Sequence, residues 1–534
     1  MSLMELPEHL NVATVLVDDH LAQGRGPKPA ILSGTRTISY EHLHEAVNRF
    51  GNVLEQCGVR REERVAILLP DCPEWAFAFF GAIKIGAVAV PMNTLLSGKD
   101  YEYVLNDSRA RVLVVHAGLE QRIGQVRDRL RYLVETIVVG GAAADPRDFD
   151  ARMGRASSAL AAADTSKDDV AFWLYSSGTT GFPKGTIHLQ HDMLVAADLY
   201  AAATIGLGES DVSFSVAKLF FAYGLGNGLY FPLRTGSTTV LLPDRPTAEN
   251  VFNAVDRCQP TVFYGVPTSY AALLQEAEKS GRTSLGRVRM CISAGEPLPR
   301  HLFLRWRERF GVEILDGIGS TEILHIFISN RPGSARPGST GQIVPGYEAR
   351  IVDDQGRDLP PGDVGTLLIK GDSIATGYWN RHETTKHTFQ GEWINTHDKF
   401  MVDQDGFFWY AGRTDDMMKV SGQAVWPTDV EGVLQGHPAV LESGVTGAAT
   451  DDGLLKPVAF VVLKDGRCPS PELARELQEF VKKNSAPHKY PRAVVFVEQL
   501  PKTAAGKIKR FELRARAAEE GLLRSQQDGA PDKT

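Results

Sequence analysis

The chain has 534 residues, which is too many for one hydrophobic core, because single cores stop growing beyond roughly 250–300 residues. Its 43% hydrophobic and 23% charged residues exclude a largely disordered chain. The net charge is −7 and no dense Lys/Arg block occurs, which disfavours a nucleic-acid partner. Neither a secretory leader nor an apolar run of about 18 residues is present, which predicts a cytoplasmic protein with no membrane partner. The five cysteines are widely spaced and include no CxxC pair, so we expect no disulfide framework or zinc site.

Helical and strand patterns alternate through the first part of the chain. Ser39 is the predicted N-cap of a helix ending near Gly58, and the apolar run at 65–69 predicts a strand buried on both faces. A helix is predicted from Pro73 to Gly86. Further strands are predicted at Val112–Val115, Phe172–Tyr175, Val262–Tyr264 and Val288–Ser293. Repeated βα units predict an α/β fold with mostly parallel sheets covered by helices.

After Gly311 the pattern changes to shorter strands separated by Gly, Asp and Pro turns, which predicts a β-rich subdomain. The region from about 416 to 515 has its own signals, a strand at Val458–Leu463 and an amphipathic helix from Pro471 to Lys482. We therefore predict a large N-terminal domain, residues 1–414, and a small α+β C-terminal domain, residues 415–534. The tail after about residue 520 is expected to be flexible.

The most informative segment is the string YSSGTTGFPKG at residues 175–185. It follows a predicted strand, is rich in small and hydroxyl residues, and contains Lys184. Glycines let backbone N–H groups approach a phosphate, and hydroxyls and a lysine add donors. The spacing differs from that of a Walker P-loop. The alternative is a flexible surface loop.

This segment resembles the phosphate loop of the adenylate-forming superfamily, which includes acyl-CoA synthetases, firefly-type luciferases and the adenylation domains of peptide synthetases. Five further strings resemble superfamily motifs in the same order: SAGEPL at 293–298, DGIGSTE at 316–322, WINTHD at 393–398, YAGRTDD at 410–416 and PKTAAGKI at 501–508. The resemblance implies the adenylate-forming enzyme fold with a mobile C-terminal domain. It also implies ATP, Mg²⁺ and coenzyme A.

The resemblance implies a role for each matched position. Attack of a carboxylate on the α-phosphate of ATP builds negative charge, which cations stabilise in the transition state. Lys507 would bridge carboxylate and α-phosphate, Thr321 would bind a phosphate oxygen, and Glu322 would hold Mg²⁺. The remaining ATP- or AMP-binding residues would be Ser176, Ser177, Gly178, Thr179, Thr180, Gly181, Lys184, Ala294, Gly295, Glu296, Pro297, Asp316, Gly317, Ile318, Gly319, Ser320, Asp398 and Arg413.

Asp415 would be the hinge about which the small domain rotates after adenylation, carrying Lys507 away. Lys419, a further catalytic residue, would then form the coenzyme A face with Ser421 and Gly422. An Asp-Asp pair is also an ordinary loop feature, and a lysine beside Lys509 is ordinarily solvated. Two positions depart from the family: His397 replaces the glycine before the ribose aspartate, and Ile318 replaces the aromatic residue that stacks on adenine.

The strings AKLFFAYGLGNGL and GIGSTEILHIFISNRPG closely resemble bacterial benzoate–CoA ligases and their hydroxybenzoate- and aminobenzoate-activating relatives. The resemblance implies an aryl-acid pocket formed by Phe221, Ala222, Tyr223, Gly224, Gly317, Gly319, Leu324 and His325. Amino-acid adenylation domains carry an aspartate at the position of Ala222, so its absence argues against an α-amino acid. Alternatively, Tyr223 and His325 pack in the core.

These observations predict an acid–thiol ligase that joins benzoate to coenzyme A, giving benzoyl-CoA, AMP and pyrophosphate. Hydroxybenzoate or anthranilate is the alternative acid, and a carrier protein is the alternative acceptor. A non-catalytic binder is disfavoured because Lys184, Arg413, Lys419 and Lys507 are all present. Nothing marks a luciferin pocket. The protein is expected to be a monomer or homodimer.

Overall fold

The computed structural model describes residues 6–176, 183–413, 416, 418–420, 423–450, 454–486, 488–502 and 508–523. The chain forms two compact units. The first contains Met1–Arg350, Leu368–Thr396 and Asp405–Phe408, and the second contains Ile351–Leu367, His397–Gln404 and Trp409–Thr534. The functional boundary between residues 414 and 415 stays a prediction, because both residues lie outside the described ranges.

The first unit contains a seven-stranded sheet of mostly parallel strands, as the βα pattern predicts. Its strands, in spatial order, are Gly377–Tyr378, Lys184–Leu189, Val170–Ser176, Val88–Pro91, Arg64–Leu68, Val112–His116 and Glu135–Val139. The last five are parallel, and the first two are antiparallel to their neighbours. The helices in this stretch of sequence are Tyr40–Gln56, Pro73–Lys84, Gly98–Asp107, Ala117–Gly124 and Phe149–Arg155, with a 3₁₀ turn at Arg127–Arg129.

A second, nine-stranded sheet completes this α/β arrangement. In spatial order its strands are Gln342–Ile343, Ile326–Ser329, Ile314–Gly319, Met290–Ser293, Val262–Gly265, Val212–Ser215, Thr238–Leu241, Pro29–Ser33 and Arg36–Ser39. Other helices of this unit are Asp19–Ala22, Asp192–Ala196, Ala222–Leu225, Phe231–Thr235, Ala248–Cys258, Pro267–Ser280, Arg300–Phe310 and His382–Thr388, with a 3₁₀ turn at Thr321–Ile323. Three segments are π-helical: Thr14–Asp18, Ala197–Ala202 and Gly226–Tyr230.

The sequence patterns explain several of these elements. The Ser39 side chain accepts a hydrogen bond from the backbone N–H of His42 at 3.1 Å, so it is the N-cap of helix Tyr40–Gln56 as predicted. Every residue of helix Pro73–Lys84 is buried, which fits its almost entirely apolar sequence. Cys291 is fully buried and packs as a small core residue, and burial raises the pKa of its thiol to about 12.

The predicted β-rich region contains a five-stranded sheet, formed by Glu348–Val352, Gly365–Lys370, Phe389–Gln390, Trp393–Val402 and Phe408–Arg413. The second unit has a three-stranded sheet of Val440–Ala449, Leu455–Leu463 and Ala493–Phe496, and a hairpin of Met418–Val420 and Gln423–Val425. Its helices are Pro427–Gln435, Pro471–Asn484 and Arg510–Glu519. Both elements predicted here, the strand at 458–463 and the helix at 471–482, are confirmed. None of the helices in the described residues is long and apolar enough to cross a membrane.

Candidate active site

The predicted phosphate loop connects two paired strands. Ser176 ends one strand, Lys184 begins the next, and the two residues are partners across the antiparallel pair. Ser177, Gly178, Thr179, Thr180 and Gly181 lie outside the described residues, so their predicted contacts with phosphate stay predictions. In the described part of this motif, the Lys184 ammonium lies over the ring of Tyr378, 4.2 Å from its centroid.

The predicted adenine residues lie at the carboxyl ends of two neighbouring parallel strands. Strand Met290–Ser293 pairs with strand Ile314–Gly319, with Ser293 opposite Asp316. The residues that follow Ser293, namely Ala294, Gly295, Glu296 and Pro297, therefore lie beside Asp316, Gly317, Ile318, Gly319 and Ser320. Nucleotides bind at this end of parallel strands in open α/β sheets. The φ of Gly295 is +92°, a conformation that favours glycine.

The Asp316 carboxyl group is buried inside this arrangement. Its Oδ2 accepts a weak hydrogen bond of 3.5 Å from the backbone N–H of Leu298, which ties the turn after Ser293 to the neighbouring strand. Burial raises the pKa of Asp316 well above the usual range, so the site favours the protonated, neutral acid.

Thr321 and Glu322 lie on a short 3₁₀ turn, Thr321–Ile323, that is fixed by its backbone carbonyl groups. The Thr321 carbonyl accepts a hydrogen bond from His188 Nε2 at 2.8 Å, and the Glu322 carbonyl accepts one from the N–H of Ala375 at 2.8 Å. The Ile323 carbonyl accepts one from the Ser373 hydroxyl, also at 2.8 Å. Two separate segments, the strand that contains His188 and the stretch that contains Ser373 and Ala375, therefore hold the two candidate catalytic residues in place.

His188 was not identified from the sequence, and it forms a fully buried pair with Asp192. The distance from His188 Nδ1 to Asp192 Oδ2 is 2.7 Å, and neither side chain is exposed. Since the Thr321 carbonyl can only accept, His188 Nε2 is the donor of that hydrogen bond. The available signal was the four-residue spacing between His188, in strand Lys184–Leu189, and Asp192, but this spacing does not reveal the distant Thr321 carbonyl.

The residue after this turn is conformationally strained. Leu324 is fully buried and has φ +71° and ψ −46°, an uncommon conformation for a branched side chain. Such strain persists where the surrounding structure enforces it, which is frequent at functional sites. The strain lies between the predicted phosphate-binding turn and His325, so it sets the direction of the chain between the two predicted subsites.

Aromatic rings surround His325 on several sides. Its ring centroid lies 4.3 Å from that of Phe231, 5.5 Å from that of Tyr200 and 5.6 Å from that of Tyr223. Tyr200 and Tyr230 belong to two of the π-helical segments, and π-helical turns are frequent at functional sites. Burial lowers the pKa of His325 to about 3, so its ring is neutral at any physiological pH.

The hydrogen bonds of Tyr223 and His325 show which of their polar atoms already have a partner. The Tyr223 hydroxyl donates towards the carbonyls of Gly265 and Ile292, both at 3.1 Å, so its polar end has a structural use. His325 Nε2 donates to the Tyr223 carbonyl at 3.3 Å. His325 Nδ1 is then an acceptor, and it has no hydrogen-bond partner among the residues that the structure describes.

Small residues are sterically required in this region. A Cβ atom on Gly224 would lie 2.1 Å from the Lys218 carbonyl oxygen, and one on Gly319 would lie 2.6 Å from the His325 carbonyl oxygen. A Cβ on Gly317 would lie 3.0 Å from the Ile328 carbonyl oxygen. Phe221 and Ala222 stand at the start of helix Ala222–Leu225, and both are partly exposed. The structure therefore brings Leu324, His325, Tyr223 and these glycines together.

A buried carboxyl group anchors the segment before Phe221. Asp71 Oδ1 accepts a hydrogen bond from the Leu219 N–H at 3.1 Å, and Asp71 Oδ2 lies 3.7 Å from Lys218 Nζ. Burial raises the pKa of Asp71 to about 6, and the nearby Lys218 ammonium opposes that rise. Asp71 was not a predicted site residue.

In the second unit, Asp398 and Arg413 form the pair that the ribose prediction requires. Arg413 Nη1 lies 3.7 Å from Asp398 Oδ1. His397 has φ +60°, so the position where the family carries glycine does have a left-handed backbone here. Asp415, Ser421, Gly422 and Lys507 lie outside the described residues. The backbone of Lys419 is part of strand Met418–Val420, opposite Ala424.

The described residues contain no group of three or more His, Cys, Asp or Glu side chains arranged to hold a metal ion. This agrees with Mg²⁺ sites that use one or two carboxylates together with substrate phosphates. Glu322 fits such a site, because its carboxylate is fixed by a hydrogen bond of 2.8 Å from the Tyr378 hydroxyl.

The family models match both parts of the chain. The model described as AMP-binding enzyme matches residues 18–379, and that described as AMP-binding enzyme C-terminal domain matches residues 429–507. The chain therefore belongs to the AMP-binding enzyme family. Among curated relatives, a benzoate–CoA ligase of Thauera aromatica is 47% identical over 514 residues, covering 96% of this chain and 97% of the relative. A 4-hydroxybenzoate–CoA/benzoate–CoA ligase of Rhodopseudomonas palustris is 44% identical and covers 94% of each chain.

Solved structures give the same result. A crystal structure of the anthranilate CoA ligase AuaEII with anthranoyl-AMP has a TM-score of 0.94 and 42% identity, covering 98% of this chain and 100% of that one. A benzoate CoA ligase from Burkholderia xenovorans LB400 has a TM-score of 0.88 and 46% identity, covering 95% and 100%. The predicted fold, the resemblance to benzoate–CoA ligases, the class of AMP-forming acid–thiol ligase and the use of ATP, Mg²⁺ and coenzyme A are confirmed. The roles of individual residues stay predictions.

The left-handed backbone at His397 generates a stability prediction. The free energy of unfolding of His397→Ala should be about 1 kcal/mol lower than that of His397→Gly, because a Cβ atom is disfavoured at this φ. The Ala variant should therefore unfold at a lower temperature. Thermal unfolding of the two variants without ligands measures the difference. At Asn395, in the same strand and with no positive φ, the Gly variant should instead be the less stable one. The same order at both positions would contradict this explanation.

The raised pKa of Asp71 generates a pH prediction. Because folded Asp71 holds its proton more tightly than the unfolded chain does, folding loses stability as the pH rises from about 4 through about 6. Asp71→Asn should remove this loss. The free energy of unfolding of the variant, relative to that of the parent, should therefore rise by up to about 3 kcal/mol between pH 4 and pH 7. Calorimetric unfolding across this range tests it, with the exposed residue variant Asp128→Asn as control. Parallel curves for Asp71→Asn and the parent would contradict it.

Proposed function

We propose that the protein joins benzoate, or a close aryl carboxylate, to coenzyme A through an enzyme-bound acyl adenylate. The observation that carries this proposal is the aromatic surround of the neutral His325, one residue beyond the strained Leu324 and the turn that bears Thr321 and Glu322. An uncharged, ring-lined region suits an aromatic ring. Because His325 follows Thr321 and Glu322 closely in the sequence, the carboxylate of an acid bound beside His325 would lie near the groups proposed to bind phosphate.

The first half-reaction needs cations and donors around the α-phosphate. We propose that Lys184 and Thr321 bind phosphate oxygens, that Asp398 binds the ribose hydroxyls beside Arg413, and that Lys507 stabilises the charge that develops as pyrophosphate leaves. Glu322 would hold Mg²⁺, which supplies positive charge to the phosphate oxygens when it is bound. The fixed carbonyls of the Thr321–Ile323 turn support this assignment, because transition-state stabilisation depends on groups placed in advance.

For the second half-reaction we propose a rotation of the C-terminal domain, residues 415–534, about Asp415. Lys507 would leave the site, and Lys419, Ser421 and Gly422 would approach coenzyme A. The physical reason is that a lysine placed for phosphoryl transfer obstructs a thiol that enters from the same side. The substrates are small molecules; a cytoplasmic location and a monomeric or homodimeric state also remain proposals.

A second candidate is a ligase for hydroxybenzoate or anthranilate. It is favoured by the buried His325 Nδ1, an acceptor without a partner among the described residues. A ring hydroxyl or amino group is a donor of the kind that this nitrogen accepts from. The anthranilate CoA ligase with a TM-score of 0.94 and the relative named for both 4-hydroxybenzoate and benzoate support the same candidate.

Acid-dependent release of AMP and pyrophosphate distinguishes these candidates. Each assay contains ATP, Mg²⁺, coenzyme A and one acid. The acids compared are benzoate, its hydroxy and amino derivatives, cyclohexanecarboxylate and medium-chain fatty acids. We expect benzoate to have the highest kcat/KM and substituted rings to be lower by roughly 10–100-fold, since a buried polar group left unpaired costs about 1–3 kcal/mol. A higher kcat/KM for a hydroxy or amino derivative would select the second candidate. No acyl adenylate with any of these acids would refute both.

Lys507→Ala should separate the two half-reactions. Adenylate formation should fall by at least roughly 100-fold, because the variant loses a cation that acts in that transition state. Conversion of supplied benzoyl-AMP and coenzyme A to the thioester should change little. The control is Lys509→Ala, two residues along, whose ammonium lies 2.8 Å from Glu512 Oε1. Equal losses in both half-reactions for Lys507→Ala would show that the assignment is wrong.

A further inference from the structure

Tyr378 contacts two of the groups proposed to bind ATP and Mg²⁺. Its hydroxyl donates a hydrogen bond to Glu322 Oε1 at 2.8 Å. The ammonium of Lys184 lies over the face of the same ring, 4.2 Å from its centroid. Tyr378 is buried, with 7% of its surface exposed, and none of the sequence motifs contains it. One side chain therefore links a carboxylate and a lysine that are far apart in the sequence.

Backbone pairing fixes Tyr378 in this position. Strand Gly377–Tyr378 pairs with the strand that begins at Lys184, with Tyr378 opposite Thr186. The Tyr378 N–H donates to the Thr385 hydroxyl at 3.1 Å, and the Phe389 ring contacts the tyrosine ring edge-on, with 5.4 Å between centroids. The ring is thereby held from its backbone and from one edge, while its hydroxyl and one face remain directed at Glu322 and Lys184.

We propose that Tyr378 is a positioning residue that orients Glu322 for Mg²⁺ and Lys184 for the triphosphate of ATP; this rests on the function proposed above. The hydroxyl engages one carboxylate oxygen and so fixes the rotation of the carboxylate. The ring face attracts the Lys184 ammonium, which lies 4.2 Å from the ring centroid, and so restricts where this cation can lie. Side chains that orient metal ligands commonly matter for metal affinity by roughly 10–100-fold.

Tyr378→Phe tests the contact with Glu322, because it removes the hydroxyl and keeps the ring. The matched control is Tyr40→Phe, which removes another buried tyrosine hydroxyl in the same unit, one that donates to the Ser237 carbonyl at 2.6 Å. Two quantities are measured for the parent and both variants. One is the Mg²⁺ concentration for half-maximal pyrophosphate release with benzoate, and the other is ATP affinity by calorimetry with Mg²⁺ and with a chelator.

For Tyr378→Phe we expect the half-maximal Mg²⁺ concentration to rise on the order of 10-fold, with the rate at saturating Mg²⁺ changed less than about threefold. The factor by which Mg²⁺ increases the affinity for ATP should fall by a similar amount. The affinity for ATP measured with a chelator should equal that of the parent. Tyr40→Phe should lose thermal stability without shifting either Mg²⁺ measurement. A Mg²⁺ dependence of Tyr378→Phe equal to that of the parent, or a rate lowered equally at every Mg²⁺ concentration, would overturn the assignment to Glu322.

Tyr378→Leu tests the contact with Lys184, since it removes the ring as well. ATP binding in chelator should weaken by roughly fivefold relative to Tyr378→Phe, because the ammonium loses its aromatic contact. Equal affinity in the two variants would overturn this half of the proposal, and a Leu variant that fails to fold leaves the Phe variant to decide the other half. A parent that binds ATP and Mg²⁺ but activates no aryl acid would refute the proposed function while leaving this test of Tyr378 intact.

Discussion

The reaction proposed here is limited by electrostatic repulsion, since a carboxylate must approach a triphosphate that is itself strongly negative. Cations and N–H donors overcome this only if they are placed before the substrates arrive, because reorganising them costs part of the energy they supply. The structure meets this requirement mainly through backbone carbonyls. In the turn Thr321–Ile323 all three carbonyls accept a hydrogen bond, one from His188 and two from the segment that contains Ser373 and Ala375. The side chains of Thr321 and Glu322 are oriented from this fixed base.

The region proposed to bind the acid also depends on groups that are fixed in advance. Burial keeps His325 neutral, so the region between the aromatic rings carries no histidine charge that would attract the carboxylate away from the phosphates. The strained Leu324 separates this neutral region from the polar turn by a single residue. Along the chain, one residue therefore separates the ring-lined region from the turn proposed to bind phosphate. This arrangement suits a substrate with an aromatic ring at one end and a carboxylate at the other.

The sequence predicted the alternation of strands and helices because burial on both sides of a parallel sheet leaves a strong pattern, as at Arg64–Leu68. It also predicted that the segments 293–298 and 316–322 belong to one site, and the structure places Ser293 opposite Asp316 on neighbouring strands. It did not predict the π-helical turns that carry Tyr200 and Tyr230, because the wider helix depends on packing rather than on local propensity. Tyr378 and the His188–Asp192 pair escaped prediction for a related reason: their partners are distant in the sequence.

In the second unit, ion pairs connect residues that are far apart in the sequence. Arg510, at the start of a helix, donates to both oxygens of the buried Glu431, at 2.9 and 2.6 Å. The same guanidinium lies 3.6 Å from Asp416, which also contacts Arg514 at 3.3 Å. Breaking a buried pair by removing one partner costs about 3–5 kcal/mol, because the other charge stays desolvated. Asp416 directly follows the predicted hinge residue, so this cluster ties the chain after the hinge to helix Arg510–Glu519 and to the buried Glu431. The proposed rotation about Asp415 would then move helix Arg510–Glu519 together with Asp416 and Glu431, which suits a domain that alternates between two half-reactions.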